Sequence, residues 1–234
     1  MDFRLSFKLA FSLFSWNPKH MRGFNGRRII MSLLLVPVFV ILLVINRLCM
    51  LLDHLLFPGF RSQQNKNPVF IVAAPRSATT YLFHLLASQQ ELFTTFTLWE
   101  IIFAPSIIQK FIFSAIIKAD KLIGSPIKII ILKIEKILFG NFTHIHKISL
   151  ALPEEDEAIL LWNMSTVYLN FFFPDTNHFD DYFLFDECVD ARKQHRVMKY
   201  YYRCVQMIII LLTHFLGLLS FSFSVYLLIE STKN

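Results

Sequence analysis

Val69-Phe70-Ile71-Val72-Ala73-Ala74-Pro75-Arg76-Ser77-Ala78-Thr79-Thr80-Tyr81-Leu82 decides how this 234-residue chain is read. Val69 to Val72 is a short apolar run rich in β-branched residues, which predicts a buried strand. Ala73 to Ala78 reads as a loop, and Thr79 to Gln89 as a helix whose Leu82, Leu85 and Leu86 share a face. A strand that turns tightly into a helix aims backbone N–H groups and the positive helix end at whatever sits in the loop, an arrangement that holds phosphate. Arg76 adds a planar cationic fork, and Ser77, Thr79 and Thr80 add hydroxyl donors. The expected fold class is therefore α/β, with a P-loop-like core: an incomplete parallel sheet with many helices, preceded by a hydrophobic helical region.

Working outward, Pro58-Gly59 and the polar run Arg61 to Pro68 form a turn-rich linker, the clearest boundary in the chain. Before it, Ile29 to Ile45 holds 17 residues without a charge. The run then continues to Phe57 and is broken by Arg47, Asp53 and His54. Its length is at the short limit for crossing a bilayer of about 30 Å. A span and an interfacial or re-entrant hairpin both stay open. If it spans, the basic residues ahead of it keep the N-terminus cytoplasmic. No small-residue cleavage site follows it, which argues against a removable signal peptide. After the loop, helices are expected at about Leu98 to Asp120 and at Pro126 to Phe139, where Lys128, Lys133 and Lys136 alternate with isoleucines. That amphipathic pattern suits either a core cover or a membrane surface. Pro153 to Glu157 looks like the acidic first turn of a helix continuing to Met164. Met207 to Ile229 is a second uncharged run, of 23 residues. The expected organisation is a basic arm over 1–28, a membrane-associated segment over 29–57, a domain over 58–206 and a hydrophobic tail over 207–234.

The composition agrees with a membrane location. The chain is 55% hydrophobic with 26 phenylalanines, and only 17% of its residues are charged. That excludes disordered, collagen-like and coiled-coil classes. Six glycines leave little room for a turn-rich all-β fold. Cys49, Cys188 and Cys204 are odd in number and far apart, so they offer neither a disulfide scaffold nor a zinc site of the usual spacing. The formal charge is +6, and six basic residues precede position 29 against one acid. A basic arm running straight into an apolar stretch fits an anionic membrane leaflet better than nucleic acid, so no nucleic-acid partner is expected.

Compared with the nucleotide-binding pattern GxxxxGK[ST], the spacing of Ala73, Ala78 and Thr80 matches. Both glycines are alanine, however, and the lysine position is Thr79. Tyr182 to Glu187 imitates the apolar strand ending in a magnesium-binding acid, which keeps an NTPase or kinase as a weaker alternative.

Pro75-Arg76-Ser77-Ala78-Thr79-Thr80 resembles the loop of the sulfotransferase family, which reads PRSGTT or PKSGTT. Phe70-Ile71-Val72 before it, Tyr81 to Leu86 after it, Leu98-Trp99-Glu100 and Pro153 to Glu157 look like the membrane-associated branch of that family. The resemblance covers roughly Pro58 to Gln206 and implies transfer of a sulfuryl group from 3′-phosphoadenosine 5′-phosphosulfate to a hydroxyl or amine, on a glycan, lipid or other acceptor, without a metal. It implies that Arg76, Ser77, Thr79 and Thr80, with the amide of Ala78, hold the 5′-phosphosulfate. A hydroxyl nucleophile must lose its proton as it attacks, so a base is needed. Glu100, 24 residues past Arg76, is the catalytic candidate. Its rival role is to cap the helix that it enters.

Two departures from the family stand out. Ala78 replaces the loop glycine, which costs energy wherever φ is positive. The family's second cofactor motif, an Arg-Asp-Pro-like turn that grips the 3′-phosphate, has no counterpart: no Arg-Asp pair occurs, and no arginine lies between Arg76 and Arg192. With the uncharged run after Gln206, this leads to the expectation of a truncated or frame-shifted member with a partial site, and to a rival reading as a catalytically dead membrane protein. His144, His146 and the group His178, Asp180, Asp181 lack a convincing ligand set, so no metal is expected. Asn141 and Asn163 begin glycosylation sequons that matter only in a secretory lumen.

Overall fold

The computed structural model describes residues 26–64, 67–72, 77–89, 92–103, 105–139, 149–172 and 179–214. Arg76, His144, His146, His178, Asn141 and most of the Met207–Ile229 run lie outside them.

The described residues are helical: α1 (Gly26–Leu56), α2 (Thr79–Ala87), α3 (Leu98–Phe103), α4 (Ile107–Leu122), α5 (Pro126–Phe139), α6 (Leu169–Phe172), α7 (Phe185–Cys188) and α8 (Ala191–His214). Short 3₁₀ turns fall at Pro58–Ser62, Asp156–Asn163 and Asp180–Leu184. Among these residues there is no β-strand, and the single ladder contact is an antiparallel bridge between Thr97 and Pro153. The expected parallel sheet is thereby overturned. Val69, Phe70 and Val72 are 56%, 79% and 91% exposed and pair with no second strand among the described residues. A parallel strand is stable only with neighbours beside it and helices over its faces, and one strand-like run cannot supply them. The other apolar runs are long, and they recur with helical period.

The chain divides into two compact units, one of residues 1–48 with 157–202 and the other of 49–156 with 203–234. This differs from the four consecutive segments expected from composition. The boundary expected after Gln206 falls inside α8, where Met207, Ile208 and Leu211 are buried like Cys204 before them.

In the first unit, Phe39 of α1 stacks on Trp162 at 5.6 Å between ring centroids. Arg47 donates from Nη2 to Asn163 Oδ1 at 2.8 Å, and its guanidinium lies 5.2 Å from the Tyr200 ring. Glu157 accepts from the Thr166 hydroxyl at 2.7 Å. The acidic run therefore begins a 3₁₀ turn at Asp156 rather than an α-helix at Pro153.

The second unit packs around Trp99, Ile117 and Ala151, with Phe113, Ile131, Leu132 and Leu150 against them. The single helix expected from Leu98 to Asp120 is two helices. Pro105 cannot continue the first, and Ser106 opens the second with a capping box in which Ser106 and Gln109 satisfy each other's backbone N–H. Pro126 stands at the first position of α5, where its missing N–H is no loss. Gly124 and Ser125 take positive φ values of 87° and 61° between α4 and α5. Only glycine accepts that without strain, so the turn is held by other means: Asp120 accepts from the amides of Ile127 at 2.8 Å and Lys128 at 3.2 Å.

Candidate functional site: the Ser77–Thr80 turn and Glu100

Helix α2 starts at Thr79, where the sequence places it, and ends at Ala87. Ala78 precedes it with φ 61° and ψ 25°, a left-handed conformation, and its carbonyl accepts the first helical bond from Leu82 N at 3.1 Å. No side chain caps this helix start. The unpaired first-turn amides of a helix are the groups that favour an anion. Ser77 and Ala78 are exposed, and Thr79 and Thr80 are half-buried, so solvent reaches the turn.

The left-handed turn at Ala78 is the conformation for which a loop glycine is normally selected, so the backbone keeps what the residue type disfavours. A non-glycine residue there costs about 1 kcal/mol. From Ser77 to Thr80 the chain reads Ser-Ala-Thr-Thr, with Ala78 in the left-handed conformation. Pro75 and Arg76 lie outside the described residues.

Glu100 is buried in the same unit, and both of its carboxylate oxygens are engaged. Oε2 accepts from Thr97 N at 2.9 Å and from Thr97 Oγ1 at 2.7 Å, while Oε1 accepts from Lys110 Nζ at 2.8 Å. The Thr97-Leu98-Trp99-Glu100 spacing is that of a capping box, with the glutamate reaching back to the first residue. Lys110 is also buried, so the pair compensates two charges away from water. The bonds of this carboxylate go to Thr97 and Lys110.

Three further acids in this unit do the same kind of work. Asp53, fully buried on α1, accepts from the amides of Ile107 at 2.7 Å and Ile108 at 3.0 Å, and so completes the start of α4. Asp120 serves α5, as described. Glu135 accepts from Leu150 N at 3.0 Å. In the sequence Asp53 reads as an interruption of an apolar stretch, and no local pattern marks a role for Lys110, Asp120 or Glu135. A signal was present for two of the caps, in the Thr97–Glu100 and Ser106–Gln109 spacings.

The Tyr182–Glu187 run that imitates a metal-binding strand is a 3₁₀ turn followed by one helical turn, with Asp186 and Glu187 exposed. Asp180 accepts from Asn170 Nδ2 at 3.0 Å. Among the described residues no three potential metal ligands come together.

Helix α1 carries one further surface. From Val36 to Leu56 it is long and apolar enough to cross a membrane, 21 residues reaching about 30 Å. Phe39, Leu43, Asn46, Met50 and Asp53 are buried, at alternating spacings of four and three. Val38, Ile41, Ile45, Leu48, Leu52 and Leu55 follow the complementary register and are exposed. The polar residues Asn46 and Asp53 thus fall on the buried side and the bare aliphatic residues on the other.

No family model, no curated protein and no solved structure matches this chain.

Proposed function

We propose that the protein is a membrane-associated, sulfotransferase-like protein that binds 3′-phosphoadenosine 5′-phosphosulfate through Arg76, Ser77, the Ala78 amide, Thr79 and Thr80, and passes its sulfuryl group to a hydroxyl or amine. The observation that carries this reading is the left-handed Ala78 placed directly before α2 inside a Pro-Arg-Ser-Ala-Thr-Thr sequence. Such a turn offers main-chain amides, two threonine hydroxyls and one arginine within five residues, a donor set suited to a small oxyanion. The exposed aliphatic side of α1 supports the membrane location. No metal enters the proposal.

A second reading has its own support. A general base must reach the acceptor's proton, whereas Glu100 is buried, held by Thr97 and ion-paired to Lys110. In this reading the protein binds the donor without transferring the group.

The decisive measurement is calorimetric titration of the detergent-solubilised full chain with 3′-phosphoadenosine 5′-phosphate, followed by transfer of labelled sulfate to glycan and lipid acceptors. Binding that disappears in Arg76→Ala, with label transfer, supports the enzyme. Binding without transfer supports the second reading. No binding by either protein overturns both.

A further inference from the structure

The hairpin of α4 and α5 carries a surface that neither the loop nor α1 explains. On α5, Ile131 and Leu132 face inward onto the Trp99 cluster, and Glu135 is turned to the amide of Leu150. The opposite side exposes Ile127, Ile130, Ile134 and Ile137, spaced three, four and three apart along one stripe, with Lys133 and Lys136 exposed beside it. Ile137 is 78% exposed, and Leu122, at the end of α4, and Ile123 after it are 87% and 68% exposed. Aliphatic residues so bare are costly in water.

The charge pattern identifies the occupant. Between positions 118 and 137 the exposed charged residues are Lys118, Lys121, Lys133 and Lys136, all cations, with Lys128 half-buried. The two acids of the segment are withdrawn from this surface: Asp120 is buried beneath the α5 amides, and Glu135 is half-buried on the inward side. An apolar stripe bordered only by cations matches a surface that offers hydrocarbon below a layer of negative charge. A protein groove would equally cover the isoleucines but gives no reason for the acids to be cleared from the rim.

We propose that α5 lies in the plane of an anionic phospholipid surface, with Ile127, Ile130, Ile134 and Ile137 inserted to the acyl boundary and Lys133 and Lys136 at the headgroups. This second contact is peripheral, selective for negative lipid and sensitive to salt, unlike a span by α1, which depends on hydrocarbon alone. It rests on the membrane location proposed above but on different residues, so the two can fail separately.

The test places a spin label at Ile130→Cys or Ile134→Cys in the cysteine-free full chain, reconstituted in vesicles of phosphatidylcholine with or without about one third phosphatidylserine. The probes are oxygen, which concentrates in lipid, and a water-soluble nickel chelate. In anionic vesicles the labels should be reached by oxygen and shielded from nickel. That pattern should fade in pure phosphatidylcholine or 0.5 M salt (about three times physiological ionic strength), and Lys133→Glu with Lys136→Glu should abolish it. Each lysine lost should weaken the docked state about fivefold. Nickel access in both vesicle types overturns the proposal, as does shielding from both probes, which marks a protein cover. A control label at Ile41→Cys reports on α1: lipid exposure there without exposure at Ile130 defeats this inference alone, and the converse defeats only the span.

Discussion

Lys110 Nζ lies 2.8 Å from Glu100 Oε1, with both side chains almost fully buried. This joins α3 to α4 across the break at Pro105 and sets Glu100 into the packing of its unit. Removing one member of such a pair leaves an uncompensated buried charge, which is more damaging than removing both.

Lys110→Met should therefore lower the unfolding free energy by about 3 to 5 kcal/mol. Adding Glu100→Leu should recover most of that loss, short of about 1 kcal/mol for the Thr97 cap. Urea titrations of the single and double variants in detergent give the comparison. A double variant no better than Lys110→Met alone would remove the ion pair as the explanation.

Asp53 caps a helix that starts 54 residues later. Asp53→Ala strands two amides at the start of α4 and should cost about 1 to 3 kcal/mol. Asp53→Asn keeps one acceptor oxygen and should cost less. Hydrogen exchange at Ile107 and Ile108 is the direct readout, since only these amides lose their acceptor; unchanged protection there would mean that the carboxylate is not their partner.

Ala78→Gly relieves a left-handed alanine and should raise stability by about 1 kcal/mol, while Ala78→Val should lower it. If the turn holds the donor's 5′ end, the glycine variant should also bind 3′-phosphoadenosine 5′-phosphate more tightly. Thermal melts with and without the nucleotide separate the two effects.

Ile45 sits on the bare side of α1, near the middle of the Val36–Leu56 stretch. Placing aspartate there should cost about 3 kcal/mol if that side meets lipid. Flotation of expressed protein on a density gradient should show Ile45→Asp shifting from the membrane to the dense fraction. A variant that floats like the parent would mean that this side is not in hydrocarbon.

The helices were the legible part of the chain. α5 begins and ends where proline and apolar period place it, and α2 begins at the threonine that follows the loop. The sheet was misread because Val69 to Val72 has the composition of a buried strand, and composition says nothing about whether partner strands exist elsewhere. Pro105 was passed over within a continuous apolar period, although proline at that point and Ser106 three residues before Gln109 together mark a helix start. The acids were hardest to assign. Asp53 meets Ile107, and Glu135 meets Leu150, through the folded backbone, and no local pattern announces an acceptor whose donor lies 15 or 54 residues away. Glu100 was legible as a cap, because Thr97 stands three residues before it, whereas its distance from Arg76, which suggests a catalytic acid, is a separate spacing.

The Asp53 cap has a consequence for the order in which the chain acquires structure. Isolated helices of this length are marginal, since nucleating the first turn is the unfavourable step. The nucleating end of α4 is completed by a side chain supplied from the end of α1, and α4 in turn supplies Asp120 to the start of α5. The three helices are therefore linked as a relay, α1 handing an acceptor to the start of α4 and α4 handing one to the start of α5, in the direction of synthesis. A lesion at Asp53 should be felt downstream, with α5 losing its register after α4 loses its own, and not upstream in α1.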